Sequence, residues 1–354
     1  AAFGPALGFQ VGWLVWLTRV TAFAALCNLL VDYLARVWPV AGSSAGRVAI
    51  ATLVTAAIAA INIRGVRMAA IVANVFTIGK LLPLVLFVAV GLFFLEPAGF
   101  VAEEPPVIGD FSAAILLLVF AFTGFESATV PAGEVRDPRR TLPFAILAAM
   151  AVIVPLYLLI QVVCIGTLPG LASSTTPLAD AAGRFAGSAG TALIVAGALV
   201  SISGTLNGLV LAAPRLLYAM AEQRQLPSLF ARTHARFHTP HWSILLTAAC
   251  MLALALSGSF LTAVALSTIT RLLAYAATCL AVPVLRRRNG AAGAAAATFR
   301  VPGGGAVVVT ALAVIAWLVA NARPVELRNV AIAMLVGAVL MVVSAFATRR
   351  ALRA

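Results

Sequence analysis

The chain has 354 residues, of which 63% are hydrophobic and 10% charged, and its mean hydropathy is +1.08. A soluble globule is about half apolar and a quarter charged, so this composition excludes one and specifies an integral membrane protein. The net charge of +13 does not mark a nucleic-acid binder, because the basic residues alternate by side between apolar runs, as topology signals do.

About ten apolar runs follow one another, at roughly 9–37, 46–63, 68–95, 111–135, 142–168, 188–220, 242–258, 260–285, 305–322 and 329–348. Each is near or above the roughly 20 residues that cross about 30 Å of hydrocarbon as a helix. None shows the polar-in, apolar-out alternation of a barrel strand, so all are predicted to be helices. Arg64 and Arg67, then Arg136, Arg139 and Arg140, then Arg224, Arg232 and Arg236 occupy every second connection. Arg286, Arg287, Arg288 and Arg300, and finally Arg349, Arg350 and Arg353, complete that side. Glu96, Glu103, Glu104, Asp110 and Asp180 lie in the alternate connections. The basic side is therefore cytoplasmic, and so is the N-terminal end of the chain.

Four ionisable residues fall deep inside runs when depth is counted at about 1.5 Å per residue: Arg19 in the first, Lys80 in the third, Glu126 in the fourth and Arg271 in the eighth. A charge near the bilayer centre costs about 2.5 to 3.5 kcal/mol, so such residues face a cavity or one another and mark a pathway by default. Arg19 and Arg271 have a structural alternative, as partners of Glu126 or of helix carbonyls in a closed bundle. Lys80 is too deep for its stem to reach either interface.

The fourth run carries the most pointed signal, FAFTGFESATVPAGEVRDPRRTLP from Phe120 to Pro143. Gly124 is flexible and is flanked by Thr123, Glu126 and Ser127, whose side chains compete for backbone hydrogen bonds, so the helix is expected to break there. Carbonyls from Phe120 to Thr123 would then lack intrahelical partners and favour an ammonium group, while N–H groups around Ser127 would favour an anion. Glu126 is placed to cap the second half-helix as well. Phe120 and Phe122 stand beside the break as flat groups able to shutter a small zwitterion, the alternative being two lipid-facing rings.

Other features are quieter. Cys27, Cys164, Cys250 and Cys279 each sit inside an apolar run without C-x-x-C spacing and read as packing residues. His234, His238 and His241 lie in an arginine-rich loop with no carboxylate or cysteine beside them, which disfavours a metal. Gly303, Gly304 and Gly305 form a turn that lacks the lysine and serine of a phosphate loop. With no H-E-x-x-H segment, the usual route to a metal-dependent intramembrane enzyme is disfavoured.

The Phe120–Pro143 segment resembles the sixth-helix signature of amino acid permeases of the amino acid, polyamine and organocation (APC) transporter superfamily. Other stretches are similar in order: AFGPALGFQVGWLVWL to that family's third helix, FTIGKLLPLVLFVAVGLFF to its fifth, LNGLVLAAPRLLYAMAEQRQLPSLFARTHARFHTPHWSI to its eighth and the loop beyond, and FRVPGG to the approach to its eleventh. The resemblance implies an all-α integral membrane protein, a LeuT/APC-type inverted-repeat helical bundle of twelve helices, of which about ten are present. It divides a single transporter domain into the rest of the first repeat at about 1–95, the second repeat at about 111–286 and two accessory helices at about 305–348. The first broken helix, with the N–H groups that hold the substrate carboxylate, would lie upstream of Ala1.

What the resemblance implies for function is secondary transport of amino acids across the cell membrane by alternating access around Gly124. Phe120 matches the aromatic gate, and Glu126 the acidic residue that follows the break and shares in gating. Ala121, Thr123 and Gly124 belong to the broken segment. Arg19 and Phe23 fall on positions lining the substrate side chain, and Ser267, Arg271 and Tyr275 on the cavity face of the eighth run here. Arg19 is expected to tune the pocket toward small, polar or acidic substrates. Lys80 matches the lysine that replaces a sodium ion in proton-coupled members. Burial disfavours its charged form, so it can exchange a proton during the cycle. No cofactor is implied; a proton gradient drives symport, in preference to sodium held by Ser201 and Ser203, and exchange of one amino acid for another is the alternative. The partners implied are an amino acid and the lipid bilayer, with a monomer or homodimer equally compatible.

Overall fold

The computed structural model describes residues 2–65, 69–100, 108–126, 137–258, 260–291, 301 and 303–351. Ten α-helices run through them: α1 (Pro5–Val37), α2 (Ser44–Arg64), α3 (Ala69–Gly91), α4 (Ile108–Ala121), α5 (Pro138–Thr167), α6 (Pro177–Glu222), α7 (His241–Ser257), α8 (Phe260–Ala291), α9 (Gly304–Ala320) and α10 (Pro324–Ala351). Each predicted run corresponds to one of them. Six are long and apolar enough to cross a membrane, and four apolar helices are shorter. The chain is a multi-pass helical membrane bundle.

Local chemistry sets the ends. Ser43 caps α2 by accepting the Gly46 N–H at 3.0 Å, and Gly65, at φ 121°, follows its last turn. α6 begins earlier than the predicted 188–220, at Pro177, because Gly187 adopts φ 61° and bends a short preceding helix into the long one. α4 ends beside the break expected at Gly124 within the run 111–135. It stops at Ala121, and residues 127–136 lie outside those described.

Two compact units make up the chain. The first comprises Ala1–Ala25, Pro106–Ile146 and Leu211–Ala354, the second Leu26–Pro105 and Leu147–Val210. In the first, α8 packs against α4, α9 and α10. Their apolar faces meet in a core of Leu116, Ile269, Leu272, Ile315, Leu318, Ala322 and Val330. Trp13 and Trp16 of α1 stack at 4.7 Å between centroids. The Trp13 indole donates to the Ala333 carbonyl at 2.8 Å and the Trp16 indole to the Thr247 hydroxyl at 3.2 Å, which ties α1 to α10 and α7. Close approach of α1 and α10 needs a residue without a side chain at Gly337, where a Cβ would lie 2.8 Å from Trp13 Nε1. Gly337→Leu is expected to displace Trp13 and lower stability by about 2 kcal/mol, measurable as an earlier thermal unfolding transition in detergent.

In the second unit, Phe185 stacks on Phe94 and tilts against Phe87, with centroids 5.7 and 5.5 Å apart. The Asn62 amide donates to the Asn207 side chain at 3.0 Å, a polar clasp between α2 and α6. Near helix ends, Arg47 Nη1 meets Asp32 at 2.7 Å and Arg36 meets Asp180 at 2.6 Å.

Candidate functional site

The break in α4 is built from its own sequence. Phe122 N–H reaches back to the carbonyls of Leu118 and Val119, and Thr123 N–H to that of Phe120 at 3.1 Å, so the helix tightens and ends. Gly124 follows at φ 109°, a conformation open to glycine and costly for other residues. The expectation that the carbonyls from Phe120 onward lack partners is corrected at Phe120 itself: its oxygen also accepts the Thr123 hydroxyl, at 2.6 Å. β-Hydroxyl side chains readily close such turns. Phe120 is half-buried, while Ala121, Gly124 and Phe125 are exposed.

Glu126 reaches back to this break. Its Oε2 accepts the Gly124 N–H at 2.9 Å and the Tyr275 hydroxyl of α8 at 3.0 Å. Its Oε1 lies 2.9 Å from Arg271 Nη1. That contact is a meeting of opposite charges rather than an aligned hydrogen bond, since Nη1 and Nε of Arg271 are both buried without a hydrogen-bond partner. The Phe125 ring packs on Tyr275 at 5.9 Å between centroids. Capping of a following half-helix around Ser127 falls outside the described residues.

Arg19 joins from α1. It is only 9% exposed, Arg271 only 6%, and Arg19 stands within electrostatic reach of both Glu126 and Arg271. The two helices are pinned in register by hydroxyls: Thr18 and Thr270 lie 2.9 Å apart, and the Ser267 hydroxyl donates to the Thr18 carbonyl at 3.0 Å. Arg19 and Arg271 are the next residues along each helix, which brings two guanidinium groups to one level. Sequence reasoning missed Thr18 and Thr270, although a mid-depth Thr-Arg dipeptide in both helices was the available signal. Ser267, expected beside substrate, is fully buried and donates to α1. Phe23 is fully buried in α1.

Arg19, Phe120, Glu126, Ser267, Arg271 and Tyr275 thus lie within the first unit. Lys80 belongs to the other, on α3, and its side chain is outside those described. Ser201 and Ser203 are half-buried on α6. The histidines order their loop: His234 Nδ1 accepts N–H groups of Arg236 and Phe237, and its ring packs 5.5 Å from that of His241.

A helix broken at Gly124 is what the amino acid permease resemblance anticipates, whereas the buried arginines are a departure from it, and the sequence profile of that family, described as amino acid permease, matches residues 1–345. This chain belongs to the amino acid permease family. It is similar to the methylthioribose transporter of Bacillus subtilis, 27% identical over 329 residues, which cover 89% of this chain and 71% of the relative. It is also similar to the serine/threonine exchanger SteT of Bacillus subtilis, 34% identical over 188 residues, 51% of this chain and 42% of the relative. A third similarity is to the vacuolar cationic amino acid transporter 2 of Arabidopsis thaliana, 31% identical over 191 residues, 54% of this chain and 30% of the relative. The matched part is thus less than half of two of these relatives. Their names differ in cargo: methylthioribose, serine and threonine, and cationic amino acids.

Proposed function

We propose that this permease carries amino acids across the cell membrane, with the N-terminal end of this chain cytoplasmic, by alternating access around the break at Gly124. The observation that carries the reading is the Glu126–Arg271–Tyr275 cluster at the end of α4, a polar assembly within apolar runs, where only function or close pairing sustains charge. Glu126 holds the break against α8 in one state and releases it in another, and Phe120 shutters the site. Ala121, Thr123 and Gly124 line the cargo from the break, with Arg19 and Phe23 from α1 and Arg271 from α8, while Ser267 holds α8 against α1 behind them.

Coupling is to protons through Lys80, which alternates between charged and neutral forms. Exchange is the second reading, favoured by similarity to a serine/threonine exchanger. Both are tested in proteoliposomes carrying the complete gene product and offered a panel of labelled amino acids. Symport predicts accumulation under an inward proton gradient, collapse of that accumulation by a protonophore, and at least about a tenfold loss in Lys80→Ala. Uptake that ignores the gradient and requires an unlabelled amino acid inside would replace symport by exchange. Transport of none of the panel would sink both.

A further inference from the structure

The charges at the break do not cancel. Among the described residues Arg19 and Arg271 contribute two positive charges and Glu126 one negative, which leaves an excess of one positive charge there. One carboxylate stands before both arginines: Oε1 lies 2.9 Å from Arg271 Nη1, Oε2 accepts from Tyr275 and Gly124, and Arg19 is within electrostatic reach. Among the described residues no hydrogen bond or ion pair closes on Arg19. Nε of Arg271 is buried and finds no acceptor among the described residues. Two guanidinium faces, held level by the Thr18–Thr270 contact, therefore stand with spare donors beside the break.

We propose that the cargo supplies the missing charge: an amino acid with an anionic side chain, whose side-chain carboxylate docks on Arg19 and on the unfilled edge of Arg271. This deepens the transport reading above and rests on it. A planar carboxylate matches the fork of a guanidinium and accepts from it bidentately. Net charge separates the classes of cargo. A dicarboxylic amino acid carries one negative charge and brings the cluster to zero; a neutral zwitterion leaves the excess as it was; a cationic amino acid raises it. The α-carboxylate of a neutral amino acid is the competing occupant of Arg19, but its ammonium enters with it and restores the imbalance.

The test compares pairs of equal shape that differ by one charge, L-aspartate with L-asparagine and L-glutamate with L-glutamine, titrated against the purified complete protein with ligand-induced rise in unfolding temperature as the readout. The acidic member is expected to stabilise at a concentration about tenfold or more below that of its amide. Arg19→Gln is expected to bring that ratio to about one. An amide as effective as its acid in the unmodified protein overturns the proposal, and so does an unchanged ratio in Arg19→Gln. Binding of other amino acids without any of the four overturns it while leaving amino acid transport standing. Binding and uptake of no amino acid at all removes the transport reading, and this inference with it.

Discussion

Glu126→Gln is expected to abolish uptake and to destabilise the protein more than Arg271→Met does, although both remove the same ion pair. The asymmetry comes from the second arginine. Without the Glu126 charge, Arg19 and Arg271 face each other as two buried guanidinium groups with no carboxylate in the cluster. Without the Arg271 charge, Glu126 remains within electrostatic reach of Arg19 and keeps the N–H of Gly124 and the hydroxyl of Tyr275. Breaking one partner of a buried pair costs about 3–5 kcal/mol, and partial exposure of Glu126 places this pair at or below the lower end of that range. Tyr275→Phe removes one hydrogen bond to the carboxylate and is expected to cost about 1 kcal/mol. Thermal unfolding of the three variants in one detergent should therefore rank them Glu126→Gln, Arg271→Met, Tyr275→Phe from least to most stable. If Arg271→Met is the least stable, Arg19 does not share the carboxylate and the charge count at the break is wrong.

Most of the fold was legible in the sequence because the bilayer imposes a length on every apolar run. Runs such as 242–258 and 305–322 became α7 (His241–Ser257) and α9 (Gly304–Ala320), within two residues at either end. Prediction failed where polarity and helicity part company. Pro177–Ala186 contains Asp180 and Arg184, too polar to count as a span, yet it is helical and joined to α6 across Gly187. Within 111–135 hydropathy registers no turn, and it was Thr123, Gly124 and Glu126 that marked the break beside which α4 ends at Ala121.

The site was legible by depth rather than by spacing. Arg19, Glu126 and Arg271 drew notice as charges in apolar surroundings, and the pairing of Glu126 with Arg271 follows from the cost of leaving either alone. Which hydroxyls bind and which pack was not legible, because serine and threonine in a membrane helix satisfy themselves on nearby carbonyls at little cost. Thr18, Ser267 and Thr270 do so, and together they fix the register of α1 against α8. Equally hidden was the reach of the Glu126 carboxylate back to the Gly124 N–H.

Gly124→Ala should lower the initial rate of uptake by about tenfold or more, and its sign separates a working break from a packing glycine. A Cβ at this position would meet nothing within 4 Å, so the substitution creates no clash. Inside a continuous helix, alanine in place of glycine stabilises by about 1 kcal/mol. Here the backbone sits at φ 109°, far from the helical region and beyond the left-handed basin near 57° that other residues occasionally visit. Holding alanine there costs about 1–3 kcal/mol, and relaxing it toward helix would continue α4 past Ala121. Either outcome moves the Gly124 N–H away from Glu126 and loosens the carboxylate that faces Arg271. A loss of about 1.4 kcal/mol in the transport-competent arrangement corresponds to the tenfold fall. An alanine variant that is more stable and transports at the unmodified rate would show that the turn after Ala121 is not needed for transport.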